Sequence, residues 1–347
     1  MASSSFSFYQ LLAATTTILL LLEARRASSC FSAIFSFGDS LQDTGNFAYT
    51  FFNTSVANPP YGTTYFHKST GRFCDGRVIL DFIAESLGLP FVPPFLPGGD
   101  FSKGANFAFA GAVAVKSDPT SNHTLPDQIQ WFQHFVNTDP LFRDPNFLAN
   151  SLIVMGEIGG NDYNSGLSKG LPYDQLLQIV PPVVQSIGSA ITTLIGLGAK
   201  TFVVPGNLPI GCIPAWLGQY RSDKPSDYDK NGCLVWLNNY SEYQNSHLQT
   251  ELDRLKGLFP NVTIAYADYH NSGVRMFSNQ AQFGITVPFT ACCGGNGYPC
   301  NATGPVCSNP LNYASWEGFH PTEATYNAIS DGLIRGPYAI PFLSQKC

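Results

Sequence analysis

The stretch FSAIFSFGDSLQDTGN, residues 31–46, decides how the rest of the chain is read. Its first half is apolar at 31, 33, 34, 35 and 37, carries no charge, and closes on Gly38. A short aromatic run of that kind ending in glycine is the pattern of a buried strand. Gly38-Asp39-Ser40-Leu41 follows at once. A serine just beyond such a strand lies at the carboxyl edge of a sheet, where open α/β folds bind their ligands. A helix starting there would point its free N–H groups at the serine and could stabilise developing negative charge. A serine N-cap on an ordinary helix fits the same residues. Gly-Asp-Ser alone does not choose between nucleophile and cap.

Outward from this stretch, strand and helix patterns alternate. Residues 46–75, rich in Asn, Pro, Gly and aromatics, are expected to form a long surface loop. Asp75 then caps an expected helix over Gly76–Leu87, with Gly88 as its stop. Lys103–Val115, KGANFAFAGAVAV, suits a strand leading into a close backbone approach. Gln128–Val136 suggests a short helix, and Ser151–Met155 a strand running into Gly156-Glu157-Ile158-Gly159-Gly160-Asn161-Asp162. Gln175–Leu197 is a long amphipathic helix that starts at or is kinked by Pro181-Pro182. Further strands are expected at Lys200–Pro205 and Val262–Asp268, with a helix over Cys233–Gly257 between them. A cysteine-rich loop occupies 284–318, and Thr322–Leu333 closes the chain as a helix. Such alternation predicts a three-layer α/β/α sandwich around a mostly parallel sheet. With no repeat and no linker, residues 30–347 are expected to form one domain.

The chain has 347 residues, 44% hydrophobic and 12% charged, enough for a sizeable core. A net charge of −6 with no basic stripe argues against a nucleic-acid partner. Leu11–Leu22 is an apolar run of signal-peptide length, shorter than a membrane-spanning helix needs. Residues 1–29 are therefore expected to be a cleaved signal, with Ala27 or Ser29 near the cleavage point and no stable membrane span afterwards. Arg25-Arg26 follow the apolar run instead of preceding it, so a signal anchor is the second reading. Asn53, Asn122, Asn239, Asn261 and Asn301 each begin an Asn-x-Ser/Thr sequon, a glycan acceptor on an expected surface loop. Of the nine cysteines, Cys292, Cys293, Cys300 and Cys307 crowd together. In an oxidising compartment they pin a loop with disulfides. A zinc site would need two cleanly spaced pairs or a suitable histidine, which the cluster lacks. The odd count leaves a cysteine free, intermolecular, or lost by processing near Cys30.

A nucleophilic serine needs a base within hydrogen-bonding reach, a group to orient that base, and donors for an oxyanion. Among the six histidines, His67, His123, His134 and His247 fall in expected loops or helices and are read as structural or solvated. His270, just after a strand pattern, is a rival base. His320 lies in Trp316-Glu317-Gly318-Phe319-His320, where a carboxylate three residues upstream can curl back to the imidazole and fix its tautomer. Gly166-Leu167-Ser168-Lys169-Gly170 fits the G-x-S-x-G string, but that motif has meaning only between a strand and a helix. Its polar neighbours suggest a loop, so the match is read as accidental.

Taken together, Gly38-Asp39-Ser40-Leu41, Asn106 through Gly111, Gly159-Gly160-Asn161-Asp162 and Trp316–His320 resemble, in order, the four blocks of the SGNH hydrolases. The fold of that superfamily is flavodoxin-like. More narrowly, GRFCDGR at 71–77, MGEIGGNDYN at 155–164, VVPGNLPIGC at 203–212 and ACCGG at 291–295 make the chain similar to the plant GDSL esterase/lipases over nearly its whole mature length. The resemblance implies a serine esterase working through an acyl-enzyme. Ser40 would be the nucleophile, His320 the base and Glu317 its orienting partner. The Ser40 and Gly111 amides and the Asn161 side chain would form the oxyanion hole, with Asp39 and Asp162 holding loop geometry by capping backbone N–H groups. The family has aspartate where this chain has Glu317, a change that keeps the charge and adds a methylene; activity is expected to survive it. No metal or organic cofactor is expected. The expected partner is an ester: acetyl groups on wall polysaccharide such as xylan, small acyl esters of metabolites, or acylglycerols. The absence of an obvious apolar lid helix favours short acyl groups over bulk lipid. A glycan- or lipid-binding pseudo-enzyme is the rival class. The expected protein is a monomer of the secretory pathway, extracellular or in the wall, with Golgi and vacuole as other destinations.

Overall fold

A computed structural model describes residues 30–116, 123–295, 300–301 and 303–340. The expected signal segment lies outside the described residues, as does the Asn122 sequon. Strands β1 (Ile34–Ser36), β2 (Gly104–Asn106), β3 (Leu152–Val154), β4 (Thr201–Pro205) and β5 (Thr263–Ala267) are parallel and lie in the order 2-1-3-4-5. A small parallel pair, β6 (Val287–Ala291) and β7 (Tyr313–Ser315), stands apart, and β8 (Ala339–Ile340) adds antiparallel to β5.

Alternation along the strands sends side chains to two cores. Phe35, Ile153 and Phe202 face one, while Ile34, Leu152, Val154 and Val203 face the other. Ten α-helices are described. In the first half of the chain these are α1 (Asn46–Thr50), α2 (Ile79–Ser86), α3 (Leu125–Thr138), α4 (Pro145–Ala149) and α5 (Gly160–Ser168). The second half carries α6 (Tyr173–Gly196), α7 (Pro214–Gln219), α8 (Val235–Leu258), α9 (Tyr269–Ser278) and α10 (Glu323–Ile334). Apolar residues of α3, α6 and α8 cover the first face; those of α2, α9 and α10 cover the second. The result is the three-layer sandwich that the alternation predicts. The prolines at 181 and 182 lie inside α6, eight residues or more from its start, so the helix begins upstream of them.

Two local expectations change. The helix after residue 75 starts at Ile79, because Asp81 accepts the Val78 N–H at 2.9 Å from inside the first turn. Asp75 serves elsewhere: it accepts the amide of Glu323 at 2.8 Å, tying this loop to α10. The strand expected over Lys103–Val115 is regular only through Asn106. Beyond it the backbone keeps following β1, with Phe107 N–H donating to Ser36 O at 2.7 Å and Phe109 N–H to Gly38 O at 3.0 Å. That is the close approach the small residues suggest.

Candidate active site

The strand order puts a topological switch point at β1. The chain leaves β1 toward β2 on one side, then returns to β3 on the other, so the carboxyl ends of β1 and β3 open a crevice. Ser40 sits four residues past β1, Gly111 beyond β2, and Asn161 in the first turn of α5 after β3. His320 comes from the loop between β7 and α10. All four line one cavity of about 300 Å³ together with Phe47, Phe73, Asn164, Asn207 and Phe319 among others.

Within that cavity Ser40 Oγ and His320 Nε2 are 2.7 Å apart. The other ring nitrogen, Nδ1, is hydrogen-bonded to Glu317 Oε1, which also accepts the His320 amide at 3.2 Å. A carboxylate accepting from Nδ1–H leaves Nε2 as an acceptor, the tautomer able to take a serine proton. Glu317 is fully buried, and its Oε2 has no hydrogen-bond partner among the described residues. The longer side chain therefore still reaches the imidazole. Gly318, with φ of 104°, provides the bend between the two residues, and the Phe73 ring lies 5.0 Å from the imidazole.

The serine is not a helix cap. Residues 39–44 form turns, and α1 begins only at Asn46 with Gly45 at its cap position. The N-terminus of α1 therefore does not serve Ser40, and oxyanion donors are sought among the individual N–H groups of the cavity. Among the described residues, the Ser40 and Gly111 amides donate to no protein acceptor, and both residues line the cavity. Gly111 has φ of 80°, yet a Cβ there would meet nothing within 4 Å. Glycine is required by backbone conformation, and not by crowding as its sequence context suggests. Asn161 Nδ2 donates to Asp39 Oδ2 at 3.1 Å and to Ala112 O at 3.0 Å.

A family model described as GDSL-like Lipase/Acylhydrolase matches residues 34–333. The chain belongs to that family. A GDSL esterase/lipase of Arabidopsis thaliana is 45% identical, over 91% of this chain and 87% of its own length; a second is 44% identical over 91% and 88%. A sinapine esterase of Brassica napus is 40% identical over 91% and 88%. The reaction class is carboxylic ester hydrolysis.

The GDSL loop is held by buried polar side chains, of which the sequence singles out Asn106 but not Gln128 or Asp43. Gln128 of α3 clamps Gly38, accepting its N–H at 2.9 Å and donating to its carbonyl at 2.8 Å. Asn106 donates to Gln42 O at 2.6 Å. Asp43 accepts four backbone amides, those of Gly45, Asn46, Phe47 and Ala110, and so joins α1 to the segment carrying Gly111. The two expected caps are present: Asp39 accepts the Leu41 amide at 3.0 Å, and Asp162 those of Ala114 and Val115 at 2.7 and 3.1 Å.

Burial pushes Asp43 and Asp162 each up to about 6, and raises Asp39 and Glu157 as well. A carboxyl raised in the fold stabilises it fully below the unfolded value near 4, and that stability is lost as pH rises through about 6. Between pH 7 and 5, Asp43 and Asp162 should each contribute about 1 kcal/mol of added stability. His270 and His123, which burial holds below the usual histidine value, act in the opposite direction. Scanning calorimetry should give a Tm a few degrees higher at pH 5 than at pH 7. A Tm falling steadily over that interval would contradict the carboxyl assignments.

The remaining histidines stay out of the site. His270, the rival base, is buried in α9 with Nε2 3.4 Å from Glu242 Oε1, and does not line the cavity. Ser168 of the G-x-S-x-G string ends helix α5 instead of lying in a loop, and is exposed. The cysteines pair as Cys212–Cys233, Cys292–Cys307 and Cys293–Cys300, which removes the zinc reading. Cys30 is disulfide-bonded as well, and Cys74 is free and buried. Asn53, Asn239, Asn261 and Asn301 are exposed. Asn239 lies on α8 and not on a loop, because the helical period turns its neighbours Leu237, Asn238 and Tyr240 inward.

Proposed function

We propose that this GDSL hydrolase is a secreted, glycosylated serine esterase for small esters, with Ser40 as nucleophile. The observation that carries the reading is the Ser40–His320–Glu317 hydrogen-bond chain inside a cavity at the switch point. In the proposed reaction Ser40 Oγ attacks the ester carbonyl as His320 Nε2 takes its proton. The carbonyl oxygen becomes an oxyanion facing the Ser40 and Gly111 amides, with Asn161 Nδ2 as third donor once it exchanges its bond to Ala112 O for one to the oxyanion. His320 returns the proton to the leaving alcohol, the acyl group stays on Ser40, and water repeats the sequence to release the acid.

The cavity supports compact acyl groups. At about 300 Å³ it is at the low end for small-molecule sites. Its aromatic walls and three asparagines suit a small metabolite ester, and the likeness to a sinapine esterase points the same way. Acetyl groups on wall polysaccharide are the second small-acyl class. Purified protein should be assayed on sinapine, acetylated xylan, short-chain esters and long-chain acylglycerols. Turnover concentrated on the small esters is expected; turnover mainly on long-chain acylglycerols would overturn the substrate reading.

Glu317 orients the base. Glu317→Gln keeps the shape but offers an amide N–H in place of a second acceptor, and should lower kcat by about 10²–10⁴-fold, as loss of an orienting carboxylate does. Glu317→Asp keeps the charge and should lose much less. If the Gln variant matches wild type in hydrolysis rate, residue 317 does not orient His320.

A further inference from the structure

Behind the proposed oxyanion donors lie two carboxyl groups with no lysine or arginine between them. Glu157 lies in the loop between β3 and α5, is 4% exposed, and lines the cavity. Its carboxyl lies beside that of Asp39 and against Gly160, where an added Cβ would sit 2.9 Å from Oε2. Its backbone carbonyl accepts the Asp39 amide at 3.1 Å. Asp39 in turn takes the Leu41 amide on Oδ1 and the Asn161 side chain on Oδ2. A hydrogen bond between two carboxyls needs one proton, and the donors around Asp39 favour its ionised form.

We propose that Glu157 is a positioning residue that, while protonated, donates to Asp39 and through it fixes both the Ser40 turn and the Asn161 amide. The inference rests on the esterase reading, in which Asn161 serves the oxyanion. The chain of contacts is continuous: Glu157 carboxyl to Asp39, Asp39 to Asn161, and Asn161 to Ala112 O beside Gly111. The groups facing the pair keep the proton in place. Asp162 and Tyr163 of α5, Tyr269 of α9, Tyr326 of α10 and the Glu317–His320 pair surround it. Only His320, when protonated, is cationic. Burial and the neighbouring Asp39 charge hold Glu157 well above the ordinary glutamate value. Deprotonation would set two buried carboxylates against each other and release Asp39 from its place.

The site thus has a built-in alkaline limit. The test measures kcat and KM for a small ester from pH 5 to 10 in wild type, Glu157→Ala and Glu157→Gln. Glutamine presents an amide N–H to Asp39 and an oxygen to Gly160 at every pH. Glu157→Ala should lower kcat by about 10²-fold, the cost of a displaced catalytic group, with KM little changed. Glu157→Gln should recover most of that loss and lack the alkaline decline of wild type. Equal damage in both variants, or the same alkaline limb in wild type and Gln, would overturn the proposal. If the alanine protein does not fold, the comparison of wild-type and Gln profiles decides alone. A fluorophosphonate label on Ser40 keeps the two readings apart: wild type that labels normally while the Glu157 variants behave like it refutes only the positioning role.

Discussion

Ser40→Ala is expected to abolish ester hydrolysis and leave the protein folded. The Ser40 hydroxyl makes one bond, to His320 Nε2, and its turn is held by Asp39, Asp43 and Gln128 and not by the side chain itself. Removing one partly solvated hydroxyl should therefore move stability by no more than about 0.5–1 kcal/mol. Catalysis has no such margin. Without the nucleophile no acyl-enzyme forms, and kcat should fall by about 10⁴–10⁶-fold, the scale of losing a serine that acts as a unit with its base. A fluorophosphonate should label wild type at Ser40 and leave Ser40→Ala unlabelled, with an unchanged melting curve. The control is Ser168→Ala, in the exposed G-x-S-x-G string, which should hydrolyse and label like wild type. A Ser40→Ala protein retaining substantial turnover would place the reaction elsewhere and return the pseudo-enzyme reading for this cavity.

The layers of the fold are legible in the sequence because their cause is local. Phe35 and Ile34 point to opposite cores through the two-residue period of a strand, and the pattern of apolar residues along α6 or α8 needs no distant partner. Errors occur where a backbone group finds its partner far along the chain. The turn after Gly38 looks like a helix start until Gln128, ninety residues on, is seen to take both of its backbone groups. Asp75 looks like a cap for the nearest helix, yet its acceptor work is done 248 residues away at Glu323. The site behaves the same way. His320 and Glu317 are legible because they lie only three residues apart, and Ser40, 280 residues from His320, through the ordered blocks of which its motif is the first. Glu157 and Asp43 are not, since a carboxyl's role here depends on its burial, and burial is a property of the assembled sheet. Glu157 could have been suspected from its place directly after β3, within the Gly156–Asp162 stretch.

That same stretch carries the prediction with the largest expected effect on stability and activity together. Gly156 has φ of 40°, and a Cβ built there would lie 1.9 Å from Phe37 O and 3.0 Å from both Phe37 C and Gln42 Cγ. The conflict is with backbone, so no rotamer change relieves it. Phe37 is fully buried, its ring stacked on Phe107 and edge-on to Phe132, and its amide donates to Val154 O at 3.0 Å. It cannot retreat without breaking the β1–β3 pairing. In Gly156→Ala, either β1 and β3 separate at their carboxyl ends or the Gly38–Leu41 turn shifts. The first should cost more than about 3 kcal/mol, through overpacking added to an unfavourable φ. The second moves Ser40 relative to His320 and Asn161, and a displacement near 1 Å should lower kcat/KM by about 10²-fold. Gly170→Ala separates strain from crowding: its φ is 65°, but nothing lies within 4 Å of the added methyl. It should cost only about 1 kcal/mol, the penalty of a left-handed alanine, and leave kcat/KM untouched. Thermal melts and steady-state rates on the two variants decide the matter. If Gly156→Ala melts and turns over like Gly170→Ala, β1, β3 and the serine turn are not packed as tightly as the 1.9 Å approach requires.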